Sequence, residues 1–349
     1  MSNNAIAKAQ KSEWTGRRIG NLLLDNALFI IMFIAIVYIA VNNQNFLKPA
    51  SIINILSQTA AYLPAALGIA GCIVLTGTDL SAGRIVGLTA CVSASLLQVA
   101  DSVNKMWPQF GTLSIFVVIP LAMLVGAIIG CFNGFFVSKF KLHPFIVTLA
   151  TQLIIYTILL LYVQMGNNKG MAISSLDKSY TDFVKGSILK IGDTPIPNYV
   201  WFALILAAIM WFIWNKTTLG KNMFALGANE EAARVSGVNV MVTTIAVFAL
   251  AGAMYGVTGF IEGARIGSNT ANTGLNYELD AIAACVIGGV SFVGGIGKIR
   301  GIVVGVFMLR LIFIGLNMIS IDQNLQYLIK GAIILFACAL DMRKYLVKK

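Results

Sequence analysis

Charge is what this sequence has least of. Only 11% of its 349 residues are Asp, Glu, Lys or Arg, against about a quarter in soluble domains. That scarcity excludes a water-soluble globular protein. Histidine occurs once, and no HExxH, GxSxG or paired Cys/His set is present, so the common hydrolase and metal chemistries lack their side chains. His143 stands directly before Pro144 and reads as a boundary residue, neither ligand nor base. The five cysteines, Cys72, Cys91, Cys131, Cys285 and Cys338, are odd in number, lie apart inside apolar segments and have no metal-ligand spacing. They read as small packing residues and say nothing of a redox compartment. A phosphate-binding loop is missing too: GGIGKIR at 294–300 has neither the GxxxxGK[ST] spacing nor the GxGxxG pattern. The expectation is no catalytic residue, no metal site and no cofactor bound by this chain.

What is abundant is apolar surface. Hydrophobic residues make up 58% of the chain and the mean hydropathy is +0.83. Several runs exceed the roughly 18 residues that mark a spanning helix, and none alternates as a membrane strand does. The first run, after Asp25, is longer than a signal-peptide core and is read as a retained span. The chain reads as one all-α polytopic membrane domain, 1–349, with about ten transmembrane helices. They fall near 27–41, 52–75, 85–99, 113–137, 145–165, 199–214, 241–261, 278–287, 301–319 and 325–340. Gly126, Gly130 and Gly134, and then Gly252, Gly256, Gly259 and Gly263, form small-residue ridges that allow helices to approach closely. Pro64 interrupts the second span and predicts a kink.

Charge orients the helices. The net charge of +11 needs no nucleic-acid partner, because placing both ends of the chain in the cytoplasm puts sixteen of the 25 basic residues on that side, as the positive-inside bias requires. Arg84 is counted there, while Arg265 and the lysines of 166–198 are counted outside. The segments are then a cytoplasmic tail at 1–20, a periplasmic loop at 166–198 and a cytoplasmic loop at 216–240.

Two stretches break the apolar pattern. TGTDLSAGRIVGL at 76–88 and GGVSFVGGIGKIRGI at 288–302 each place a glycine-rich interruption before a small-residue helix. They echo one another weakly, and the second is a candidate re-entrant turn. Paired broken segments in two halves place a transport pathway between them. Asp79 and Ser81 in the first break, and Glu278 and Asp280 at the opening of the eighth span, are the pathway candidates, since intramembrane charges are costly and face a pathway or a partner. Asp79 and Asp280 can equally cap half-helices. Glu262 and Arg265 either pair locally or join that pathway. Arg310 and Lys330 are read as salt partners within the bundle.

The loop at 216–240 carries a short helix with both ends marked. Asn229 caps the start, Glu230 and Glu231 complement the dipole, Glu230 and Arg234 are four apart, and Ser236 with Gly237 supplies the stop. Ala232, Ala233 and Val235 form a small smooth face. Two turns are too few to be stable alone, so this helix is expected to dock on a partner.

GANEEAARVSGV at 227–238, TGTDLSAGR at 76–84 and ELDAIAACVIGGVSFVGGIG at 278–297 together resemble the permease subunits of bacterial ABC sugar importers of the ribose and galactose class, above all the galactose/methyl-galactoside branch. The resemblance covers essentially the whole chain. It implies a bacterial inner-membrane homodimer, a cytoplasmic ATPase with two fused cassettes carrying ATP and Mg, and a periplasmic sugar-binding protein. It further implies a coupling helix at 229–237 seated on the ATPase, with 166–198 and 262–276 facing the binding protein. A ribose permease, or an ion-coupled carrier with Asp79 and Asp280 as ion ligands, is the alternative. The capped helix argues against the carrier, which does not need it.

Overall fold

The computed structural model describes residues 27–346; the expected tail at 1–20 lies outside them, as do residues 347–349. The structure is mostly helical. Helix α1 is Ala27–Asn42, α2 Pro49–Val74, α3 Ala82–Leu96, α4 Ile115–Phe140, α5 Pro144–Gln164, α6 Lys178–Lys185, α7 Asn198–Lys216, α8 Thr218–Ala228, α9 Glu230–Val235, α10 Val240–Ile266, α11 Tyr277–Ile287, α12 Ile299–Met318 and α13 Gln323–Leu346. A two-stranded antiparallel hairpin, β1 Ser187–Ile191 and β2 Thr194–Pro197, lies between α6 and α7.

Seven helices among the described residues are long and apolar enough to cross a membrane, and two shorter apolar ones, Met32–Asn42 and Ala82–Leu96, accompany them. The expected eighth span is only α11, whose 11 residues rise about 16 Å, roughly half a hydrocarbon core of about 30 Å.

Two helices make the centre. From Ser57 onward α2 is nearly all buried and continues through Pro64. α10 packs against α2, α3 and α4. The glycine ridges explain the close approach: a Cβ on Gly126 would strike the Gly252 carbonyl, one on Gly252 the Gly126 carbonyl, and one on Gly256 the Ala122 carbonyl. With lipid as apolar as the side chains, helix association depends on such van der Waals contact rather than on hydrophobic burial. α7, α11 and α12 flank α2, α5 covers α3, and α1 and α13 lie outside α12.

One end of the bundle carries α8, α9, the α4–α5 turn and the breaks after α2 and α11. The other end is folded more than a loop of polar residues would be. Its 166–198 segment holds α6 and the hairpin. Tyr180 of α6 is fully buried, and its hydroxyl donates to the Phe260 carbonyl. The Asp177 carboxylate caps α6 by accepting from the Ser179 backbone N–H at 2.8 Å, and those Ser179 bonds hold its carboxyl below the ordinary aspartate range. Lys105 is also buried there, its ammonium donating to the Gln98 carbonyl at 2.7 Å.

Segment 267–276 corrects the sequence reading. Expected as a loop outside the membrane, it turns back along α3. Asn269 pairs with Ile173, the Cys91 thiol donates to the Thr270 carbonyl, and Cβ atoms on Gly87 and Gly83 would overlap the Thr273 and Gly274 carbonyls. This is the stretch that re-enters the helical layer. The break between α11 and α12, in the 288–300 stretch read as a re-entrant or broken turn, lies against the end of α2, where the Gly295 N–H donates to the Val74 carbonyl at 2.9 Å. The two glycine-rich breaks thus touch each other.

Candidate functional site

At the α9 end, the chain leaves α7 through Thr217, whose hydroxyl accepts from the Gly220 N–H at 3.3 Å and starts α8. Asn229 ends α8 and caps α9, its side-chain oxygen accepting from the Ala232 N–H at 2.9 Å. Arg234 donates to Glu230 at 2.6 Å on the exposed face. Gly237, with φ +86, closes the helix as its N–H meets the Arg234 carbonyl, while the Val238 N–H meets that of Ala233. This left-handed stop is the conformation glycine adopts without penalty.

The faces of α9 differ from the sequence reading in one respect. Ala233 is buried at 4% exposure and turned into the protein, whereas Val235 is 89% exposed. Ala232, Glu230, Glu231, Arg234, Ser236 and Gly237 are exposed as well. The smooth outward face is therefore Ala232 and Val235, without Ala233. Beside it opens a cavity of about 800 Å³ between the α4–α5 turn, the end of α2 and the start of α10, lined in part by Lys141, His143, Asn229, Glu230, Arg234 and Asn239. A Cβ on Gly227 would strike the Val74 carbonyl, so α8 is held directly against the end of α2.

The four pathway candidates separate into three places. Asp79 and Ser81 are fully buried. Asp79 accepts from the Ser81 N–H at 3.0 Å and from its hydroxyl at 2.6 Å. Ser81 in turn accepts from Asn133 at 3.0 Å, and Asn133 accepts from Thr151 at 2.6 Å. This network ties the α2–α3 break to α4 and α5, and it lines neither of the two polar cavities. Glu278 is buried against Gly83, below the bundle end where its sequence position seemed to put it. Arg84 likewise sits inside the bundle, stacked at 4.2 Å over Tyr156 and donating to the Ala271 carbonyl, so it does not belong to a surface loop.

Asp280 opens on a cavity. One of its carboxylate oxygens meets Lys330 Nζ at 2.5 Å, and the other is paired with Arg310. The Arg310 guanidinium lies 3.4 Å over the Tyr62 ring, and Tyr62 stacks on Tyr277 with centroids 4.2 Å apart. The expected salt pairing of Arg310 and Lys330 within the bundle is what the structure contains, with Asp280 as their shared partner. The cavity beside them, about 210 Å³, also has Asn276, Asn317 and Gln326 in its wall. Glu262, fully buried, takes two bonds of 2.7 Å from Arg265, which is the local pairing. Among the described residues no group of three His, Cys, Asp or Glu is placed to hold a metal.

Comparison with known proteins gives this geometry a lineage. The chain is 44% identical to the galactose/methyl galactoside import permease protein MglC of Escherichia coli strain K12, over 94% of this chain and 96% of that one. It is 42% identical to the protein of the same name in Haemophilus influenzae, over 94% and 97%. The ribose import permease protein RbsC of Escherichia coli strain K12 is 32% identical over 92% and 95%. No solved structure matches. A family model described as branched-chain amino acid transport system / permease component matches residues 51–338, so α3 to α12, nearly all of α2 and both glycine breaks fall within it, and the chain belongs to that permease family.

Proposed function

We propose that this chain is the membrane-spanning subunit of an ATP-driven importer that carries galactose and methyl galactosides across the bacterial inner membrane. The observation that carries the reading is α9: a capped two-turn helix, exposed on five of its six residues, in a chain without a phosphate-binding loop. Energy then has to come from a separate protein through that contact. The greater identity to galactose/methyl galactoside permeases, 44% against 32% for a ribose permease, favours galactose over ribose.

In this reading two copies of the chain form the pathway by alternating access, with both ends of the chain in the cytoplasm and α9 facing it. A two-cassette ATPase receives α9 through Ala232 and Val235, with Glu230, Glu231 and Arg234 at the rim. A periplasmic binding protein delivers sugar to the opposite end, where α6, the hairpin and 267–276 are exposed in part. ATP binding draws the paired α9 helices together and tips the dimer outward; hydrolysis resets it. A ligand moves such an equilibrium only by its unequal affinity for the two states, so the membrane site can be weak while the binding protein supplies selectivity.

Glu231→Lys with Ala232→Asp places unlike charge and a new carboxylate on the docking face. Sugar uptake is expected to fall at least tenfold while the chain stays in the membrane, since surface substitutions cost the fold about half a kcal/mol or less. Unchanged uptake and unchanged ATPase binding in reconstituted vesicles would sink the assignment.

A further inference from the structure

Four helices meet at the Asp280 cavity with a charge that does not balance. Arg310 and Lys330 share a single carboxylate, so the cluster carries one excess positive charge, with all three residues largely buried in a helical bundle. Arg310 is 9% exposed, and its Nε has no hydrogen-bond partner among the described residues. Pairing alone would be satisfied by one cation, and intramembrane charges beyond that need mark a pathway or ligand.

The wall of the cavity narrows the ligand. Gln326 donates to Asn317 at 2.7 Å and to the Ile321 carbonyl at 2.9 Å, which leaves its amide oxygen and the Asn317 amide nitrogen as an acceptor and a donor. With the Asp280 carboxylate, the cavity offers acceptors as well as donors. An inorganic cation would meet Arg310 and Lys330, and a bare anion would leave the Asp280 and Gln326 oxygens without a donor. A neutral polyol needs both kinds of partner, because each hydroxyl donates once and accepts. The space, about 210 Å³, is large enough for one pyranose ring. Tyr62 offers no free face, being covered by Tyr277 and Arg310. Recognition here is by polar edges rather than by stacking.

We propose that the cavity between α2, α11, α12 and α13 is a monosaccharide-binding station, in which Asp280 accepts from sugar hydroxyls while Lys330, Arg310 and the Gln326–Asn317 amide pair donate to and accept from the others. It rests on the sugar-import reading above. Each Asp280 oxygen faces one cation and keeps a further lone pair, so a hydroxyl can donate to it while the charge stays paired.

The test uses the full chain reconstituted with its ATPase and binding protein. In a background with Cys131 and Cys338 replaced by Ser, a Gln323→Cys thiol at the cavity wall is titrated with a small water-soluble maleimide. Galactose at millimolar concentration is expected to slow labelling severalfold, and sucrose to leave it unchanged. Lys330→Met is expected to lower uptake about tenfold, the loss of one charge-assisted hydrogen bond, with unchanged amounts of chain in the membrane. Labelling equally fast with and without galactose, or uptake that falls only in proportion to the chain inserted, overturns the station while leaving the importer reading intact. Wild-type vesicles that take up no monosaccharide overturn the importer reading and the station with it.

Discussion

Asn229 serves two helices at once, as the C-cap of α8 and the N-cap of α9. Asn229→Ala removes the acceptor for the Ala232 N–H and is expected to cost about 1 kcal/mol, enough to unwind a two-turn helix that has few other contacts. Asn229→Asp keeps the cap. Limited proteolysis across 229–238 should separate them, the Ala variant being cut faster and the Asp variant at the native rate. Asp177 permits a pH test at the opposite end. Its carboxyl is held below the ordinary value by Ser179, so its stabilising contribution is present above the unfolded pKa of about 4 and is lost as pH falls through the lower folded value. Protease access to 166–198 should therefore rise in acid below about pH 4, and Asp177→Asn, which caps without titrating, should flatten that rise. Residue roles of this local kind are readable from sequence, because a cap and its helix are neighbours in the chain. Which side of α9 faces inward was not readable, since Ala232 and Ala233 are chemically identical and only packing against the bundle buries the second.

At the scale of elements, the α4–α10 pair illustrates what periodicity can and cannot report. Glycines four apart identify the meeting ridges, and in the structure those ridges meet each other. A β-branched side chain at the seam forces backbones apart, and overpacking of this kind costs about 1–3 kcal/mol. Gly252→Val is expected to lower the thermal midpoint of the detergent-purified protein by several degrees, whereas Gly289→Ala, with open space at its Cβ, should act only through its positive φ and leave helix contacts intact. Two elements escaped the sequence. α8 contains Gly220 and Gly227 with Lys221 and Asn222, which read as loop, yet both glycines are demanded by backbone contacts at Trp214 and Val74. Segment 267–276 is rich in Asn, Thr and Gly, the composition of an exposed turn. It enters the helical layer because Arg84 and Cys91 of α3 donate to its Ala271 and Thr270 carbonyls and Gly83 and Gly87 leave room for those of Gly274 and Thr273, a tertiary reason with no periodic trace.

For the whole molecule the question is where the driving energy enters. An ion-coupled carrier needs carboxylates that reach a water-filled path. Asp79 is enclosed by Ser81 and its neighbours, and the two cations on Asp280 repel a metal ion from the cavity that it lines. Uptake into vesicles supplied with ATP and Mg is therefore expected to persist without sodium and in the presence of a protonophore, and to stop when Mg is chelated. Loss of uptake with the protonophore would favour the carrier. The contact beneath α2 carries this question into the time domain. Val74, Gly227 and Gly295 meet through backbone atoms alone, with no side chain that can turn to absorb a displacement, so the junction either holds its hydrogen bond or opens. The Gly295 amide hydrogen is thus a clock for the cycle: its exchange with solvent deuterium should slow when the ATPase seats against α9 and quicken during turnover, registering each push at a point where no sugar and no nucleotide binds.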